Sequence, residues 1–134
     1  MGGVLLGRAS DRWGRGRCLV AGHVVMAAAI RLVPLGSTPL AVPSALVFGL
    51  MMSGLPAVIA AHLSDWLTPR EFAGAFGRCT LAFGVAQLCG PPLGGVLAET
   101  TSSFTASFVL AAAVAVLGAV LSLAVVRAPA LPRR

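Results

Sequence analysis

The chain has no lysine and no tyrosine, and charged side chains occupy only 10% of its 134 positions. An ordinary soluble domain carries charge on roughly a quarter of its residues. A water-facing surface cannot be assembled from this composition. Acids are scarcest: Asp11, Asp65, Glu71 and Glu99 are all there are, beside two histidines and three scattered cysteines. Paired acids, a metal-ligand cluster and a nucleophile with its base are all missing, so no enzymatic activity, metal or cofactor is expected. Cys18, Cys79 and Cys89 are odd in number and lack C-x-x-C spacing, and they read as small apolar residues. Met1 to Leu6 is too short for a signal peptide.

What the sequence has is apolar length, with 57% hydrophobic residues and a mean hydropathy of +0.93. Crossing about 30 Å of hydrocarbon takes about 20 apolar residues. Four stretches qualify, so the expected fold is all-α and integral to a membrane, with four transmembrane helices. The first runs over 18–35 and ends on Pro34 and Gly36; the second covers 43–63, with Thr38-Pro39 as an earlier start. The third, 69–97, opens on Thr68-Pro69-Arg70-Glu71, which has the pattern of a capping box with proline at the first helical position. It is long enough for its first two turns to stand in the interface. Ser103 precedes the fourth, 104–126, and residues 128–134 form a basic tail.

All ten basic residues are arginines and the net charge is +6. They cluster between apolar runs rather than along one polar face, which excludes a nucleic-acid surface. Arg8, Arg12, Arg15 and Arg17 precede the first span, Arg70 and Arg78 follow the second, and Arg127, Arg133 and Arg134 follow the fourth. Short cytoplasmic loops retain arginine, so the expectation is a multi-pass protein of the cytoplasmic membrane with both termini inside. Arg31, near the outer end of the first span, can snorkel outward.

The leading segment reads Gly7-Arg8-Ala9-Ser10-Asp11-Arg12-Trp13-Gly14-Arg15-Gly16-Arg17. Gly7 lets helices approach, Gly14 permits a turn that a side chain would block, and Asp11 can face a helix N-terminus. Arg12, Arg15 and Arg17 can tie the segment to acids and lipid phosphates. Asp65 and Glu71 are the acids on that side, and one of them is predicted to pair with Arg12 or Arg15; Glu71 has its capping box as another duty. In Gly90-Pro91-Pro92-Leu93-Gly94-Gly95, two prolines remove backbone donors and small residues allow close packing, as in a hinge.

The pattern G-x-x-x-D-R-x-G-R-x-R before a hydrophobic helix resembles the signature loop of the major facilitator superfamily (MFS). In that family the cluster is understood to hold the cytoplasmic gate shut in one state and release it in the other. Gly90 to Gly95 is similar to the G-P-x-x-G-G of the fifth helix of many proton-coupled antiporters, whose counterpart is the eleventh. Gly77-Arg78-Cys79-Thr80 and Phe83 to Gln87 resemble the eleventh helix of the YbfB/YjiJ-like branch. The second span lacks the arginine expected of an antiporter's fourth helix. The resemblance therefore implies helices nine to twelve, a partial MFS fold, with helices three to six as the other assignment.

Polar groups inside the spans are candidates for lining a cavity: Thr80 and Gln87, seven apart on one face of the third span with Phe83 between them, Ser53 on the second span and His23 on the first. His23 bonded to a neighbouring carbonyl is the plainer reading. No span carries a carboxylate, unlike the small multidrug resistance type. Small-residue faces such as Ala111, Ala115 and Ala119 suit packing. The expected function is part of a secondary active transporter for an unknown small molecule, inactive alone because eight helices are missing. The rival is a non-transporting four-helix module, truncated or self-standing, that packs with another membrane subunit.

Overall fold

The architecture is that of a computed structural model that describes residues 2–33 and 38–127. The Pro34 and Gly36 stop and the 128–134 tail lie outside the described residues. Five helices follow one another: α1 (Gly2–Trp13), α2 (Arg15–Leu32), α3 (Thr38–Trp66), α4 (Pro69–Thr101) and α5 (Thr105–Arg127).

Three helical stretches are long and apolar enough to cross a membrane: Pro39–Trp66, Pro69–Thr101 and Thr105–Ala124. The expected first span is the exception. Its helix, α2, has 18 described residues and holds Arg15, Arg17 and Arg31 among them, so length and composition alone do not mark it as a crossing helix.

Boundaries differ from expectation: α2 begins at Arg15, α3 takes the earlier start at Thr38 and runs to Trp66, and α4 is longer at its end. The threonines Thr100 and Thr101 donate to the carbonyls of Val96 and Leu97 at 3.0 and 2.7 Å, and α4 runs on past Leu97. It stops at Ser102, in the left-handed region with φ 52°, where the Ser103 N–H closes onto the Ala98 carbonyl at 3.2 Å. The arginine-rich segment is helical on both sides. Only Gly14, with φ 89° and ψ 135°, interrupts it, and there α1 turns into α2.

Packing concentrates in α1, α2, α3 and α5. Gly2, Leu6 and Ser10, four residues apart, form the buried stripe of α1. Leu6 joins Cys18, Leu19, Leu55 and Val58 in one cluster, and Ala27 and Ile30 meet Ala112 and Ala115 in a second. Small residues set these distances: a Cβ on Gly54 would lie 2.9 Å from Leu6 Cδ1, and one on Gly22 would lie 2.6 Å from Leu55 Cδ2. In lipid such contacts hold helices by van der Waals packing. The buried stripe of α5 is Ala112, Ala115, Ala119 and Ser122; Ala111, expected in it, is exposed.

Helix α4 is different. None of its residues is buried, and everything from Gly77 to Leu93 is exposed. It is tied to α5 near its end, where the Ser107 hydroxyl donates to the Gly94 carbonyl at 2.8 Å.

Candidate functional site

The α1–α2 junction brings charge to one end of the bundle. Gly14 breaks the helix between α1 and α2 with φ 89°, and nothing lies within 4 Å of where its Cβ would stand, so the position is demanded by conformation and not by crowding. Arg15, the first residue of α2, turns onto two acids. Its Nη2 lies 3.5 Å from Asp11 Oδ1, one turn back on α1, and its Nε contacts Asp65 Oδ2 near the end of α3. The Arg15 side chain is only 25% exposed, whereas Asp11 is 62% exposed. A pair this open contributes roughly 0 to 1 kcal/mol, so its effect is to set the register of helix ends more than to hold the fold.

The other motif residues fall around that pair. Arg12 and Arg17 make no ion pair among the described residues, and Gly7 has open space beside it rather than a neighbouring helix. Glu71 takes the capping role: its Oε2 accepts the Thr68 backbone N–H at 3.0 Å and the Thr68 hydroxyl at 2.7 Å. Neither bond involves an arginine. Ser10 went unnoticed in the sequence. It is 1% exposed with its hydroxyl donating to the Gly7 carbonyl at 2.7 Å, and the four-residue spacing Gly2, Leu6, Ser10 was the available signal.

The hinge residues Gly90, Pro91, Pro92, Gly94 and Gly95 all lie within α4, which continues through them as helix. The prolines have no N–H, so the Gln87 and Leu88 carbonyls lose their usual helical donors. Gly94 is the one that meets another element, with Ser107 Cβ 3.9 Å from its Cβ position.

The five cavity candidates are not gathered in one place. Thr80, Phe83 and Gln87 stand on the uncovered stretch of α4, and the Thr80 hydroxyl donates back to the Phe76 carbonyl at 2.9 Å. Ser53 donates to the Leu50 carbonyl at 3.1 Å, and its Oγ stands where a Cβ on Gly2 would strike it. His23 is wedged between helices. Its Nδ1 is 2.8 Å from the Leu19 carbonyl and 3.5 Å from Ser122 Oγ, and its ring lies on Gly118, where a Cβ would come within 2.6 Å of Cδ2. Ser122 itself donates to the Gly118 carbonyl at 2.8 Å. Since a carbonyl only accepts, Nδ1 carries the hydrogen of that bond. No metal-binding group of three or more ligand side chains exists among the described residues.

Comparison with known proteins bears on what this end of the bundle belongs to. The Major Facilitator Superfamily description matches residues 1–134. The chain is 34% identical over 129 residues to mouse solute carrier family 22 member 18, covering 91% of this chain and 31% of that protein. It is 33% identical over 127 residues to human solute carrier family 67 member A1, with coverages of 91% and 30%. With multidrug resistance protein 1 of Bacillus subtilis (strain 168) the identity is 31% over 130 residues, covering 93% of this chain and 32% of the other. The chain thus spans about a third of the length of these curated relatives. No solved structure matches it. Apolar helices of membrane-crossing length, a glycine-broken arginine junction and a family match from the first residue to the last agree: the chain is a multi-pass membrane protein that belongs to the major facilitator superfamily.

Proposed function

We infer that this chain forms part of a secondary active transporter that moves a small molecule across the cytoplasmic membrane by alternating access. The observation that carries the reading is Arg15, placed between Asp11 and Asp65 so that the α1–α2 junction is latched to the end of α3. In a family whose members transport solutes, such a pair is suited to close one end of the pathway and to open when its partners separate. The relatives are named as solute carriers and as a multidrug resistance protein. The same class is proposed here, within the YbfB/YjiJ-like branch.

Four crossings are proposed rather than three, with α2 as the first. Arg15 at its start meets Asp65 near the end of α3, Gly16 meets Val126 near the end of α5, and Ala27 and Ile30 further along meet Ala112 and Ala115. A helix lying alongside α5 in this way shares its passage through the bilayer. Arg15 and Arg17 then sit at the cytoplasmic boundary, and Arg31 snorkels at the other. Both termini face the cytoplasm, and the helices correspond to nine to twelve of the family.

Alternating access rocks one half of such a transporter against the other around a midplane site. The uncovered face of α4, with Thr80, Phe83 and Gln87, supplies one wall, and helices outside this chain supply the rest. The 134 residues alone therefore insert without transporting, and act neither as an enzyme nor on nucleic acid. Neutralising Asp65 in the intact transporter tests the latch: Asp65→Asn is expected to reduce uptake strongly at unchanged expression, and unchanged uptake would refute it. A second reading, a non-transporting module that packs with another membrane subunit, rests on the same exposed α4. It is favoured if the DNA before Met1 carries a promoter and stop rather than coding for eight further helices.

A further inference from the structure

At the junction end of the bundle four helix ends surround an open cleft of about 430 Å3. Trp13 closes α1, Gly16 and Arg17 stand in the first turn of α2, His62 and Trp66 end α3, and Val126 lies in the last turn of α5. The chain has only these two tryptophans, and neither is in the core: Trp13 is 70% and Trp66 38% exposed. The Trp66 and His62 rings pack at 5.6 Å between centroids, so the α3 wall of the cleft is aromatic over a full turn.

The chain beyond α5 has the composition to cover these rings. Residues 128–132, Ala-Pro-Ala-Leu-Pro, carry no charge, and the basic pair Arg133-Arg134 comes only after them. They leave the bundle at the cleft itself, because they follow Arg127 at the end of α5 and the preceding Val126 lines its wall. There α5 meets the start of α2 so closely that a Cβ on Gly16 would lie 2.8 Å from Val126 Cγ2. Pro129 has no N–H to extend the helix and disfavours helical geometry at the residue before it, so the sequence favours an extended path. At about 3.1 Å per residue, residues 128–132 reach on the order of 15 Å, more than a cleft of this volume is wide.

Extended proline-containing segments dock in aromatic-lined grooves because their conformation is already restricted and little entropy is lost on binding. Here the segment is tethered to the wall of the groove, so docking is intramolecular and needs little intrinsic affinity. We propose that residues 128–132 lie in this cleft, with Pro129, Leu131 and Pro132 on the Trp13 and Trp66 rings, so that the tail straps the end of α5 to the ends of α1 and α3. Arg133 and Arg134 then stand outside the cleft, clear of Arg17. The strap is a property of this chain and does not depend on the transport reading.

The test uses the full chain, purified in a neutral detergent, with Cys18, Cys79 and Cys89 replaced and a bimane label on Leu131→Cys; tryptophan quenches bimane on contact. Emission from position 131 should be strongly quenched, and emission from a label on Ser103→Cys, beyond the far end of α4, should not. Adding Trp13→Phe and Trp66→Phe should restore the emission at 131. If either background does not fold, the native cysteines are kept and the tryptophans report instead. With no tyrosine and both tryptophans in the cleft, intrinsic fluorescence reads this site alone. Replacing Pro129, Leu131 and Pro132 together by serine should shift that emission to the red and raise its quenching by acrylamide. Unquenched bimane at 131, quenching that survives loss of both tryptophans, or wild-type tryptophan emission in the serine variant would each overturn the proposal. Quenching that falls on dilution would place the tail in a second copy, and tryptophan emission that responds to added phosphatidylglycerol equally in wild type and serine variant would give the cleft to lipid; either result also overturns it.

Discussion

At Gly118 a hydrogen stands where any side chain would strike the His23 ring, which is itself held by the Leu19 carbonyl and cannot swing aside freely. Gly118→Ala should therefore cost about 1 to 3 kcal/mol, the usual range for overpacking a filled contact. Thermal unfolding in detergent would show it, and adding His23→Ala should recover most of the loss; a neutral Gly118→Ala would contradict the wedge. Gly14 is the opposite case, with nothing near its Cβ position but φ at 89°. Gly14→Ala should cost about 1 to 3 kcal/mol through backbone strain alone, with no second-site substitution able to relieve it. Arg15 and Asp65 separate stability from function. Breaking so exposed a pair by Asp65→Asn should change unfolding by less than about 1 kcal/mol, while uptake by the intact transporter falls. A loss of uptake that tracks a loss of stability would mean the pair is structural.

Among the elements, α4 is the one whose form and surroundings part company. Its start was legible because Thr68, Pro69 and Glu71 satisfy an N-terminus locally, and the Glu71 carboxylate does bond the Thr68 N–H. Its end was not, because Thr100 and Thr101 bond back to their own helix and carry it to Thr101. Gly14 was legible for the same local reason as Thr68: its conformation needs no partner. Burial of Ser10, the His23 wedge on Gly118 and the shift of the α5 stripe from Ala111 to Ala112 depend on which helix lies opposite. Nothing in the local sequence states that. Thr80 and Gln87 on α4 were found as polar residues on an apolar helix, with Phe83 between them, but their convergence with His23 and Ser53 did not follow. The hydrogen bond from the Ser107 hydroxyl to the Gly94 carbonyl gives a prediction for this element. Ser107→Ala should remove about 1 kcal/mol of interaction and speed hydrogen exchange in the second half of α4 more than in α2 or α3. Equal protection in the variant would show that α4 is held by something else.

For the whole molecule the decisive question is whether α2 crosses. Hydropathy alone counts three crossing helices, because Arg15, Arg17 and Arg31 fall within α2. Packing along α5 argues for a fourth, and only an even number puts the arginine junction, the α3–α4 turn and the end of α5 on one side. The chain's own cysteines, Cys18, Cys79 and Cys89, can be replaced and single cysteines placed at Arg8, Thr68, Ser103 and Arg127. A membrane-impermeant maleimide applied to intact cells then reads the side of each. The account predicts that Ser103→Cys reacts from outside, while Arg8→Cys, Thr68→Cys and Arg127→Cys react only after the membrane is opened. Labelling of Arg8→Cys together with Ser103→Cys in intact cells would show that α2 does not cross, and would contradict it.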